Sequence, residues 1–137
     1  MKLTYASSYA LHALAEMAGQ VKGAPPAASH TTAKARGIPD RFLLKILGAL
    51  ARAGVLNSKK GPGGGYHLAR SPDKITLLEV IEAVDGRLRG HTGGFGGKNT
   101  AALDAKLSDI CEKATDHQRR ALSRVSLADL VGGSRKK

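Results

Sequence analysis

One cysteine, Cys111, is the chain's entire supply of thiol. It excludes an intramolecular disulfide and fits a cytoplasmic protein. Tryptophan is absent and aromatic residues make up 4%, so the core must come from Leu, Ile, Val and Ala, and a modest core of that kind often leans on a partner subunit. No apolar run approaches the roughly 18 residues needed to span a bilayer. Met1-Lys2-Leu3-Thr4 runs directly into an amphipathic pattern rather than a signal-peptide layout. No membrane partner is therefore expected. Acidic residues are also scarce, with 11 Asp and Glu against 22 Lys and Arg. No carboxylate pair, Ser/His/Asp set or metal-ligand cluster converges in the sequence, so no catalytic residues and no enzyme are expected.

What is present is positive charge, and it is unevenly spread. Residues 1–70 hold ten Lys and Arg against Glu16 and Asp40, a net of +8, whereas residues 71–137 hold twelve against nine acids, a net of +3. An excess gathered in one half is the footprint of a nucleic-acid partner. Membrane-surface binding would need a helix with bulky apolar residues opposite a basic face, and none is evident. At 137 residues the chain is one domain with room for a dimerisation appendage.

The stretch GVLNSKKGPGGGYHLAR, residues 54–70, organises the rest. Val55-Leu56 and Tyr66-His67-Leu68 are short strand-like runs around Gly61-Pro62-Gly63-Gly64-Gly65, a pentapeptide suited to a tight hairpin tip. Lys59 and Lys60 precede the tip. A phosphate-cradling nucleotide loop fits less well, since no Gly-Lys-Ser/Thr follows and the next element is a strand. Upstream, Thr4 can cap a helix over residues 5–20, with Tyr9, Leu11, Leu14, Met17 and Ala18 as its apolar face. A short Ala/Thr-rich helix over 28–37 ends at Gly37, a natural left-handed C-terminal residue. Pro39 and Asp40 then open a longer helix with Phe42, Leu43, Ile46, Leu47 and Leu50 as its buried stripe. Two helices joined through Gly37-Ile38-Pro39 and followed by a cationic hairpin make a helix-turn-helix with a wing. Its second helix is the recognition helix, whose N-terminal residues should meet base edges in the major groove.

Past the wing, Thr76 and Glu79 form a capping-box signature for a helix that ends at Asp85-Gly86. Six of the twelve residues 86–97 are glycine, and this segment is expected to be flexible. In the long helix that follows, Leu103, Leu107, Ile110, Ala114, His117 and Ala121 alternate spacings of four and three, the seam of a coiled coil. So long a helix is expected to reach across to a second subunit. The expected architecture is mainly α with a small β-hairpin. Residues 1–85 form a winged helix-turn-helix DNA-binding domain (wing about 55–69), 86–99 the flexible loop, 100–131 the dimerisation helix and a short final helix, and 132–137 a disordered basic tail.

The order of these elements resembles the Rrf-two (Rrf2) family of bacterial winged-helix transcription regulators, which includes IscR, NsrR and CymR. The resemblance rests on Met1-Lys2-Leu3-Thr4 with Tyr9-Ala10-Leu11, Ala53-Gly54-Val55-Leu56 through Gly61-Pro62-Gly63-Gly64-Gly65-Tyr66, Ile75-Thr76-Leu77 with Val80 to Gly86, and Ser126-Leu127-Ala128-Asp129-Leu130-Val131. It covers residues 1 to about 131. It implies a homodimer, paired through the long helix, that sets two recognition helices and two wings on an operator. Clustered members carry three cysteines ahead of the dimerisation helix, and these hold an iron–sulfur cluster; residues 91–105 here contain none. Some relatives add a ligand from the first helix, where Ser8 and His12 stand. No cofactor is therefore expected, and an effector would be a small molecule, a partner protein or oxidation of Cys111. A second departure is Thr31-Thr32-Ala33, in place of the usual aliphatic anchor of the short helix.

Physical chemistry nominates the contacts. Lys2, Thr4, Thr31, Lys59 and Lys60 are candidates for phosphate, with Gly63 and Gly64 at the wing tip. Arg41 and Lys45 can donate to guanine O6/N7, and Asp40 can accept from cytosine N4. A solvated surface charge is the alternative for each ionic residue. A basic RNA- or ribosome-associated protein is the other functional class, but Tyr5, Tyr9, Phe42, Tyr66 and Phe95 are too scattered to form a stacking platform.

Overall fold

Three helices begin where a side chain takes over their first free N–H groups. In the computed structural model, which describes residues 1–20, 24–90, 97 and 99–132, Thr4 accepts from the Ser7 N–H at 3.0 Å to open α1 (Tyr5–Ala18). Thr76 and Glu79 close a reciprocal capping box on α4 (Leu77–Asp85), and Ser126 and Asp129 do the same for α6 (Leu127–Val131). Between them lie α2 (Ser29–Arg36), which ends in left-handed Gly37, and α3 (Asp40–Arg52). The antiparallel hairpin of β1 (Leu56–Lys59) and β2 (Gly65–Leu68) follows, then a 3-10 turn (Pro72–Lys74), and α5 (Ala101–Ser123) after α4.

The core is aliphatic and small. Leu43, Ile46, Leu47 and Leu50 of α3 are buried against Ala10, Ala13, Leu14 and Met17 of α1, with Val55, Leu56, Ile75 and Val80 closing it. The expected face of α1 is corrected here. Tyr9, Leu11 and Ala18 are only half-buried at the rim, and the inward stripe is Ser7, Ala10, Ala13, Leu14 and Met17. Leu14 and Met17 are buried as expected, and the small side chains of Ser7, Ala10 and Ala13 take the remaining inward positions because they bring the helix backbones close. Phe42 likewise leaves the α3 stripe; it is 37% exposed and packs edge-on against Tyr9 at 5.4 Å between ring centres. The substituted anchor of α2 still packs, with Thr32 and Ala33 both buried.

Two backbone bridges, silent in the sequence, join segments distant along the chain. Ala27 exchanges both backbone hydrogen bonds with Tyr66 at 2.8 Å, adding a one-residue third strand beside β2 of the wing. Gly65 allows this: its φ is +148°, and a Cβ there would run into the Ala27 carbonyl. The Leu77 N–H donates to the Val125 carbonyl and the Leu127 N–H to that of Ile75, each at 2.8 Å. These set the capping boxes of α4 and α6 side by side and bury Leu127 in the core of the winged-helix domain.

Asp85 joins the two ends of that domain. Its carboxylate accepts from Thr4 Oγ1 at 2.9 Å and from Ser7 Oγ at 2.7 Å, so the last residue of α4 holds the first turn of α1. Ser7 is fully buried. Asp85→Ala is expected to cost about 1–3 kcal/mol by leaving that hydroxyl short of its acceptor, read as a lower urea midpoint at constant m-value. An unchanged midpoint would mean the serine finds another acceptor at no cost.

α5 stands apart from this packing. Of its 23 residues none is buried. The half-buried ones, Asp104, Ser108, Cys111, Thr115, Gln118, Arg119 and Leu122, form one stripe. Arg119 meets Glu82 of α4 in a two-pronged pair at 2.9 and 3.0 Å, and the same carboxylate accepts from the Leu88 N–H at 2.9 Å. Residues 86–90 are thereby tied to α4. Positions 91–96 and 98 of the expected flexible loop, and residues 133–137 of the expected tail, lie outside the described residues.

Candidate nucleic-acid interface

With Leu43, Ile46, Leu47 and Leu50 turned inward, helical geometry leaves Asp40, Arg41, Leu44 and Lys45 on the outer side of α3, and all four are exposed. Pro39 supplies the non-helical N-cap and Asp40 the acidic first-turn residue, so the N-terminal end of α3 begins at a fixed point. Among the described residues no ion pair engages Arg41, Lys45, Lys59 or Lys60. Their donors are free for an external anion.

The wing and α2 make a second surface. A cleft of about 320 Å³ lies between them, lined by Ser29, His30, Ser58, Lys59, Lys60 and Gly64 among others. No side chain caps α2. The start of α2 and the two wing lysines thus line one opening, an arrangement suited to a phosphate. Gly63 sits at the tip with φ +75°. Thr31 is exposed on the first turn of α2, and Lys2 is exposed ahead of α1. Thr4 is also exposed, but its hydroxyl works inside the fold, capping Ser7 and donating to Asp85.

Sequence reasoning passed over Leu44, Ser29, His30 and Arg70. The first was legible, since it falls beside the 43-46-47-50 stripe rather than on it. Arg70 was not, because its partners lie 4, 9 and 16 residues away in no local pattern. It donates to Glu79 at 2.6 Å, to the Lys74 carbonyl at 2.8 Å and to the Gly54 carbonyl at 3.4 Å, fixing the base of the wing to the start of α4. The hydrogen bond from Arg70 holds the Glu79 carboxyl below the usual glutamate range, and the one from Arg119 does the same to Glu82, each opposed by partial burial.

A depressed native pKa stabilises the fold above the unfolded value of about 4.3 and ceases to do so as pH falls through the lower native value. Glu82→Gln is therefore expected to lose less stability than the parent between about pH 5 and pH 3, followed by urea midpoints. Parallel acid limbs would show that the Glu82–Arg119 pair contributes nothing to this window.

The six residues of the expected seam on α5 are all on its outer side. Leu103, Leu107 and Ile110 are 59%, 40% and 61% exposed, and Ala114, His117 and Ala121 are exposed below them. Cys111 lies on the neighbouring half-buried stripe. A Cβ at Gly90 would strike its carbonyl, so only glycine lets the loop approach α5 this closely.

Comparison with known proteins gives this geometry a lineage. The family model Rrf2, described as an iron-dependent transcriptional regulator, matches residues 3–133. The chain is 33% identical over 135 residues to slr0846 of Synechocystis sp., described as an HTH-type transcriptional regulator, covering 98% of this chain and 90% of that one. It is 30% identical over 135 residues to the HTH-type transcriptional regulator IscR of Cereibacter sphaeroides, covering 96% and 87%. The solved structure of T. potens IscR superposes with a TM-score of 0.71 at 25% identity, covering 99% of this chain and 90% of that one. From its capped helices, its wing and the match over residues 3–133, the chain belongs to the Rrf2 family of DNA-binding transcriptional regulators.

Proposed function

We propose that the chain acts as a homodimer that seats two α3 helices and two wings on the half-sites of a pseudo-palindromic operator and represses transcription there. The observation that carries this reading is α5, a 23-residue helix that buries none of its residues in its own chain while presenting Leu103, Leu107 and Ile110 outward at coiled-coil spacing. Lys59 and Lys60 position the duplex through its phosphates. Asp40, Arg41 and Lys45 read base edges.

The dimer works without a protein-held iron–sulfur cluster. The family's description speaks of iron, but the donors of this chain do not fit one. Cluster iron is held mainly by thiolates, and each subunit offers Cys111 alone. Its histidines are dispersed: His12 on α1 beside Arg36, His30 on α2, His67 on β2 and His117 on α5 beside Arg120. Among the described residues no three His, Cys, Asp or Glu gather as a metal site; His91 lies outside them. Regulation then falls to a small molecule, a partner protein or oxidation of Cys111. Half-buried on the stripe that faces its own chain, with Asp109 and Glu112 as sequence neighbours, Cys111 is better suited to packing than to a redox switch, which puts oxidation last among the three.

Gel shift with a palindromic duplex against structured RNA of equal charge tests the first part, and the duplex is expected to win. Preference for the RNA would favour a ribosome-associated role. Anaerobic reconstitution with iron and sulfide is expected to leave the protein colourless. A stable brown protein with stoichiometric iron would overturn the second part.

A further inference from the structure

We propose that Leu44 reads a thymine methyl group in each operator half-site; this rests on the placement of α3 in the major groove. Leu44 is 53% exposed, on the one face of α3 that carries Arg41 and Lys45. It belongs neither to the core nor to the half-buried side chains packed against it. Phe42, the other exposed apolar residue of the helix, already has a partner in the Tyr9 ring.

An apolar side chain more than half exposed between two cations, and outside the core cluster, contributes little to the free protein. In a major groove it meets the one apolar feature that base edges offer, the C5-methyl of thymine. Its flanking residues make that contact specific. Arg41 and Lys45 lie three residues before and one after Leu44, so their phosphate or guanine contacts fix where the isobutyl group falls along the groove. The site then differs in kind from its charged neighbours, because it rewards a methyl rather than a hydrogen-bonding edge. It should also accept 5-methylcytosine, which bears the same group on a C·G pair.

The test uses the whole 137-residue chain and a duplex enriched by it from a random-sequence library. Each thymine is replaced singly by deoxyuridine, which removes the methyl and leaves the pairing edge intact. One thymine in each half-site, related by the operator's symmetry, is expected to lose about fourfold in affinity, the worth of one methylene-sized apolar contact. In Leu44→Ala that loss should vanish, and in Leu44→Met it should persist. A 5-methylcytosine·guanine pair at the same position should bind wild type more tightly than cytosine·guanine. The exposed position predicts unchanged melting for both variants.

A wild-type scan with no methyl-sensitive thymine, or a sensitivity that Leu44→Ala retains, overturns the assignment while leaving operator binding intact. If no duplex is enriched, or Arg41→Ala and Lys45→Ala both bind like wild type, α3 is not the reading head and the assignment falls with it.

Discussion

Replacing Leu107 and Ile110 together by aspartate is expected to convert the protein from dimer to monomer and to weaken operator binding by about a hundredfold or more. Within a single chain both side chains already face water, at 40% and 61% exposure. Their replacement therefore removes nothing from the core and should leave the melting of the winged-helix domain close to wild type. In a paired helix the same positions lie inside the seam, where each aspartate would be an unpaired charge taken out of water. Losing the partner costs DNA affinity through geometry. Two linked reading heads bind their half-sites with an avidity about 10² to 10⁴ above one alone, provided both can engage at once. Light scattering reads the assembly and gel shift the affinity. A dimer that survives both substitutions would place the interface elsewhere on the molecule.

Salt should have an effect of comparable size. If the dimer neutralises six or more phosphates, its affinity should fall about a thousandfold between roughly 50 and 200 mM monovalent salt. Lys60 and Arg41 should then part company. Lys60→Ala is expected to weaken all duplexes alike and to lower the salt slope by about one per wing. Arg41→Ala is expected to cost about 1–3 kcal/mol and to relax preference at one base position, because a bidentate donor to guanine has no substitute there. Titrations of both variants against an operator and a scrambled duplex at several salt concentrations separate the two roles. Unchanged binding in both would remove α3 and the wing from the interface.

Much of this molecule was legible along the chain because its signals are local. Thr4, the Thr76–Glu79 pair, Gly37 and the run from Gly61 to Gly65 each act on backbone within four residues, so elements and caps followed from sequence with little displacement. Charge was legible for a different reason: Arg41, Lys45, Lys59 and Lys60 cannot be buried unpaired, so the elements that carry them had to place them outside.

What only the tertiary structure decided concerns pairs far apart in sequence. Nothing near Asp85 announces that it holds Thr4 and Ser7, nor does anything near Arg70 point to Glu79 and the carbonyl of Gly54. The inward face of α1 also eluded the sequence, since hydrophobicity favours Tyr9 and Leu11 whereas close backbone approach favours Ser7, Ala10 and Ala13. The same holds for the two bridges, Ala27 with Tyr66 and Thr76 with Ser126, which are made by backbone groups that every residue possesses. Local signals fix where an element begins and which side of it stays wet. Which elements meet, and through which atoms, depends on the packing of the whole chain.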